Sequence, residues 1–397
     1  GAAFYVASVR LAFRLAARLG DARDGLLAGG LLALGGPLVW GYLYGADIAL
    51  VMLLCLWLLE RMVGGWSQPR SLGVVLPAAL WALARPEGLL AAGAVGLAWS
   101  LGPWRGDRSW RRLLVWVPLA AGLALLALYR ALTGSWLGTS VADKSLFDSY
   151  GFLEGLALAC EYGVDLIRGL LLGFYPAQVT MGFARGWASL FFPPLGLLLI
   201  VLVLARPPAG FAAPLRLWGG LVALLFALLT PNRFMGVHYH RYLMWAFPTL
   251  LVLIAVGLGR LSRTLERSGP GRGRALFAGA AALFLGLGLL STVRMASAYG
   301  SIAGEMYHRD VAAAGWISRH LPPGTAMANI ATSVEYLTGH RNLNLHGVTS
   351  PAFFGAHASE REAAAFEVLG RLPPGERPGF LISTRSVQES LPTMREL

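Results

Sequence analysis

Charge is the scarcest thing in this sequence. Only 14% of its 397 residues are Asp, Glu, Lys or Arg, against 56% hydrophobic residues and a mean hydropathy of +0.59. A soluble domain carries about a quarter charged residues. The deficit excludes disordered chains, secreted disulfide scaffolds and soluble nucleotide-binding enzymes, and it points to a polytopic membrane protein. Cysteine is also sparse. Cys55 and Cys160 stand far apart in apolar context, which argues against a zinc site or redox pair and predicts two buried free thiols. Lysine is nearly missing: 32 of the 33 basic residues are Arg, which makes Lys144 conspicuous. No signal peptide precedes the first apolar stretch, and Gly1 reads as the entry to a helix.

The net charge of +12 would suggest nucleic acid until it is divided along the chain. Residues 297–397 hold eight basic and nine acidic residues, and residues 1–296 hold 25 and 12. The excess therefore sits on the hydrophobic part, where basic loops set membrane orientation, and nucleic acid is rejected as a partner.

Against the roughly 20 residues of a bilayer span, apolar segments run at about 2–19, 24–42, 47–64, 73–84, 87–102, 112–132, 187–205, 216–231, 242–259 and 276–293, the fourth and fifth of them short. The fourth and fifth meet at Ala84-Arg85-Pro86-Glu87-Gly88, a hairpin at one membrane face. Sixteen arginines gather in five loops (from Arg14, Arg18 and Arg23 through to Arg272 and Arg274), which places those loops in the cytoplasm. The opposite face holds Arg85, Arg130, Lys144, Arg168, Arg185, Arg233, Arg241 and Arg294. Parity then requires residues 153–176 to be an amphipathic helix on the outer surface, with Glu154, Glu161, Asp165 and Arg168 near one face.

From about residue 296 the character changes. Five of the seven histidines lie here, with helices expected at Glu305 to His320 and Glu360 to Leu372, and strands at Met327 to Ile330, Asn342 to Leu345 and Gly379 to Ser383. The expected fold is thus an all-α polytopic membrane protein of about ten spans with one outer interfacial helix. It divides into a membrane domain, 1–295, and a small soluble α/β domain, 296–397, on the outer face.

Four outer clusters carry chemistry. Tyr42, Tyr44 and Asp47 open the third span, where Asp47 either caps the helix or faces an outer cavity. Arg85 and Glu87 sit at the hairpin tip, either as a self-satisfied pair or as a grip on an anionic ligand. Gly138 to Ser145, with Thr139 and Lys144, suits a phosphate or is a plain solvated loop. Arg233, His238, His240, Arg241 and Tyr242 form the fourth; its His-x-His spacing lacks a clear third metal ligand. Several cations on one face suggest an anionic lipid headgroup, with aromatics such as Trp40, Tyr42 and Trp136 for sugars and a lipid chain. No metal site is assigned, and a divalent cation is the one cofactor left open.

Taken together, these stretches resemble the integral membrane glycosyltransferases of the GT-C type. Relatives include protein O-mannosyltransferases, aminoarabinose transferases of lipid A and arabinofuranosyltransferases. Tyr44-Gly45-Ala46-Asp47 sits where one branch has an S/Y-G-M-E-T-like motif, and Arg85 to Gly88 is similar to its R-P-E-G turn. Gly138 to Ser145 is similar to a P-N-T-x-x-A-K-S loop, and Arg241 to Pro248 to an R-Y-L-x-P-x-x-P helix start. The tail resembles the W-I-x-x-x-L-P-P-G…Y-x-x-G-R module at Trp316 to Arg341. The departures are Asp47 for the usual Glu, Asn344 for a frequent Asp, and the unusual Gly138 and Asp143. The family's hallmark acid in its first outer loop has no counterpart here, so a missing N-terminal span and loop, or an inactive relative, is expected.

The resemblance implies an inverting transfer of a sugar from a polyprenyl-phosphate donor to a glycan, lipid or protein acceptor at the outer face of a bacterial inner membrane. Lys144, Arg85 and Arg241 would hold the donor phosphate. Asp47 and Glu87 would be the catalytic carboxylates, and Tyr44, Thr139, Arg233, His240 and Tyr242 would contact substrate. A lipid-linked sugar flippase is the alternative, with a polysaccharide polymerase or ligase behind it; inverted repeats would favour the flippase, and none is evident.

Overall fold

In the computed structural model, residues 1–43, 47–65, 71–101, 111–133, 151–173, 192–231, 243–329, 336–344, 371–373, 378 and 380–382 are described. Two compact units emerge: Gly1–Gly134 with Ala157–Ala298, and Ser135–Leu156 with Tyr299–Leu397.

The first unit is helical. In chain order it contains α1 (Ala2–Leu19), α2 (Ala22–Ala33), α3 (Gly36–Leu43), α4 (Ile48–Gly65), α5 (Ser71–Ala84), α6 (Glu87–Leu101), α7 (Arg111–Leu114) and α8 (Val117–Thr133). Then follow α9 (Phe152–Leu172), α10 (Gly196–Ala205), α11 (Ala212–Leu229), α12 (Phe247–Ser268) and α13 (Arg272–Met306), the start of α9 and the end of α13 belonging to the second unit. Each of the ten apolar segments of the sequence contains a helix. Among the described residues, four helices are long and apolar enough to cross a bilayer: Ile48–Gly65, Ala212–Leu229, Met244–Ser268 and Arg272–Ser297. The pair α2–α3, bent by 63°, makes a fifth if its two halves form one broken span rather than a re-entrant loop. The protein is a polytopic helical membrane protein. α1 is as long as α4 but carries Arg10, Arg14 and Arg18; its buried stripe of Ser8, Ala12, Leu15 and Leu19 repeats at helical spacing.

Small residues set the close approaches. α2 starts at Asp21, whose side chain accepts the N–H groups of Arg23 and Asp24 at 2.9 and 3.2 Å. It stops at Leu34, ahead of Gly35-Gly36-Pro37, where α13 seals the break. Thr292 donates to the free carbonyl of Leu34 at 2.7 Å, and a Cβ on Gly36 would lie 2.6 Å from the Ser291 backbone. Without water, only such partners satisfy a broken helix inside a bilayer. The core gathers on α4 and α12, the latter buried from Phe247 to Gly259. Trp81, Trp218 and Trp245 are fully buried, with Trp81 5.3 Å from Trp245 and 6.2 Å from Trp218 between centroids.

α9 forms where the amphipathic helix is expected. Its inward stripe is Gly155, Ala159, Leu166 and Leu170. Cys160 falls on the outward side with Glu161 and is exposed, which corrects the expectation of two buried thiols; Cys55, inside α4, is buried.

The second unit continues from α13 through a π turn, Tyr307–Val311, into α14 (Ala312–His320). The stop at Leu321-Pro322-Pro323-Gly324 follows from prolines that cannot continue a helix and a glycine at φ +81°. Among the described residues three short parallel strands follow: β1 (Met327–Asn329), β2 (Asn342–Asn344) and β3 (Phe380–Ile382), in the order β2-β1-β3. Met327 pairs with both Asn342 and Phe380. Ile317, Leu321 and Met327 pack together. The expected helix at Glu360 to Leu372 lies almost wholly outside the described residues.

Candidate active site

α5 and α6 form the hairpin that the sequence implies. Arg85 N donates to Trp81 O at 3.0 Å to end α5, and Gly88 N donates to Arg85 O at 2.9 Å to begin α6. Pro86 between them has no N–H to lose. Gly88 is required by packing, since a Cβ there would fall 2.4 Å from the Trp81 carbonyl.

This turn places Arg85 between two carboxylates. Its Nε lies 2.8 Å from Glu87 Oε1 and 3.4 Å from Asp47 Oδ2. Glu87, in the first turn of α6, has a side chain only 8% exposed. Asp47, at the start of α4, is 49% exposed. Glu87 Oε1 touches Arg85 as a charge contact without the alignment of a directed hydrogen bond, and among the described residues it has no hydrogen-bond partner. The helix N-terminus adds partial positive charge behind Glu87. The arrangement is a carboxylate–guanidinium–carboxylate triad with one acid buried and one open.

Of the ten residues singled out in the sequence, the structure brings together Asp47, Arg85 and Glu87. Tyr44, Thr139, Lys144, Arg233, His240, Arg241 and Tyr242 lie outside the described residues. Arg85 is no free cation: two carboxylates already engage it, so its first role is to hold them. Tyr42 is also corrected. It is fully buried in α3, 5.2 Å from the Tyr5 ring, and belongs to the core rather than to an outer aromatic loop.

A second set of buried charges was missed because arginines at that end read only as orientation signals. Asp24 is 1% exposed and meets Arg263 at 3.0 Å, and Glu60 is met by Arg14, Arg18 and Arg61. The signal was an acid inside an apolar run, in Leu-Leu-Glu60-Arg-Met above all. Beside them, Asp21 bonds Arg23 and Arg263. Burial pushes its carboxyl up, but the Asp24 and Arg23 N–H groups and both guanidiniums outweigh that and hold it below the usual carboxylate range. A depressed acid contributes stability above its unfolded pKa and loses it as pH falls through the folded one. Unfolding midpoints should therefore drop below about pH 4, and less so in Asp21→Asn. Equal acid sensitivity in both proteins, followed by thermal scans in detergent, would remove Asp21 from that account.

No family model matches the chain, and no curated protein matches it. Among solved structures, it is similar to ArnT from Cupriavidus metallidurans in the apo state, at 12% identity and a TM-score of 0.47, over 99% of this chain and 79% of that one. So distant a likeness leaves function to be argued from the chain's own residues.

Proposed function

We propose that the chain is a membrane glycosyltransferase of the GT-C type, moving a sugar from a polyprenyl-phosphate donor to an envelope glycan, lipid or protein acceptor at the outer membrane face, with inversion. The observation that carries this reading is the Asp47–Arg85–Glu87 triad at helix ends: a buried acid fixing a guanidinium that in turn orients an open acid. The ten-span topology, the outer position of residues 296–397 and a bacterial inner membrane belong to the same proposal. They rest on the arginine asymmetry.

The chemistry runs as follows. Asp47 accepts the proton of an acceptor hydroxyl as its oxygen attacks the anomeric carbon. The new C–O bond forms as the bond from that carbon to the phosphate oxygen breaks from the opposite side. The electron pair leaves with polyprenyl phosphate. Lys144 and Arg241 neutralise the departing charge, and Arg85 joins them as Asp47 takes up its proton and loosens its hold. Glu87 keeps Arg85 in place throughout.

The test mixes purified full-length protein with a panel of polyprenyl-phosphate sugars and follows release of free polyprenyl phosphate. Release with one sugar supports the transferase, and Asp47→Asn and Lys144→Ala should each lower turnover by at least tenfold, the floor beneath the roughly 10²–10⁴-fold usual for acid–base and charge-stabilising groups. Saturable binding without release from any donor would instead favour a flippase or an inactive relative.

A further inference from the structure

Among the described residues, a dense charge cluster lies at the other end of α4 from Asp47. Glu60 lies thirteen positions after Asp47, a rise of about 20 Å along the helix, so the two sites stand well apart. Glu60 is buried and meets three guanidiniums, Arg14 at 3.5 Å, Arg18 at 3.4 Å and Arg61 at 3.5 Å. One negative charge thus faces three positive ones. The arginine side chains are 51%, 41% and 49% exposed, so each keeps donors for a further acceptor. Glu60 pre-aligns them, and guanidinium forks suit phosphate oxygens.

Arg14 also closes one end of a shallow groove along α1. Ala3, Val6, Ala7 and Leu11 line it, with Arg10. These positions recur every three or four residues and continue into Arg14 and Arg18, which puts them on one helix face. That face is small and apolar over its first two turns and basic over the rest. Its pattern matches an amphiphile with a chain at one end and a phosphate at the other.

We propose that this face of α1, with Arg61 of α4, binds one anionic phospholipid, its phosphate on Arg14, Arg18 and Arg61 and an acyl chain along the groove. The surplus positive charge selects the occupant. A zwitterionic lipid would bring a cation of its own against it, and a soluble phosphate would leave the groove unfilled.

Native mass spectrometry of the purified full chain in detergent tests this, titrating phosphatidylglycerol against phosphatidylcholine of the same chain length. The expected result is one retained phosphatidylglycerol, preferred by at least about tenfold given two surplus charges. Arg14→Gln with Arg18→Gln should abolish the preference. Arg274→Gln, whose arginine pairs with Glu266 elsewhere, should leave it unchanged. Glu60→Gln should raise retention, because the amide oxygen still accepts from the arginines and keeps them aligned while the competing charge is gone; a purely structural ion pair would give no such gain. Should the double arginine variant fail to fold, Ala3→Phe with Ala7→Phe fills the groove, keeps every charge, and should still lower retention. Equal retention of both lipids, an unchanged preference in either double variant, an equal loss in Arg274→Gln, or displacement by inorganic phosphate would each overturn the site.

Discussion

Arg85→Ala is expected to destabilise the protein by about 3–5 kcal/mol, because it leaves Glu87 as an uncompensated charge in a nearly closed site. The side chains involved are 13% and 8% exposed, so water offers little relief. Replacing both members changes the outcome. Arg85→Met with Glu87→Leu removes the buried charge along with its partner, and most of the lost stability should return. Activity should not return, since Asp47 is then unbraced. Thermal unfolding in a fixed detergent, with donor turnover per folded molecule, separates the two effects. A loss under about 1 kcal/mol in the single variant would mean that the pair does not hold the hairpin.

Gly88→Ala is expected to cost about 1–3 kcal/mol, as overpacking does in a tight core. The added methyl would sit 2.4 Å from the Trp81 carbonyl, a backbone atom of the preceding helix, so α5 and α6 must part. Trp81 would move with α5, and its contacts with Trp218 and Trp245 would loosen. Because the same turn aims Arg85 and Glu87, turnover should fall with stability. Wild-type unfolding midpoints in Gly88→Ala would show that the hairpin accommodates a side chain and that its closeness does not set the site.

Much of this molecule is legible in its sequence because the membrane imposes simple rules. Apolar length places helices, so α4, α5 and α6 fall within a residue or two of the expected segments. Alternation and proline-glycine punctuation do the same for β1, β2 and β3 in the tail. The pairing of Arg85 with Glu87 follows from their spacing across a turn. Its extension to Asp47 does not, because that contact joins residues 38 positions apart and depends on how α4 packs beside the hairpin. Cys160 and Tyr42 went astray for related reasons. Apolar context in a membrane protein does not distinguish a side chain facing lipid from one facing protein, and a tyrosine near a span end reads as interfacial until a partner helix covers it. The acids at the arginine-rich end were hidden by the very abundance of arginine there.

The strand order β2-β1-β3 has a consequence for synthesis. The central strand finds its first neighbour thirteen residues after it ends, at Asn342, but its second only at Phe380. Throughout that interval one edge of β1 presents unpaired amides and carbonyls, the state in which strands recruit wrong partners. Closing so long a loop is also entropically slower than closing the first. These three strands can therefore pair fully only once Phe380 has been made, fifty-one positions after β1 ends, and until then that edge of β1 stays open to mispairing.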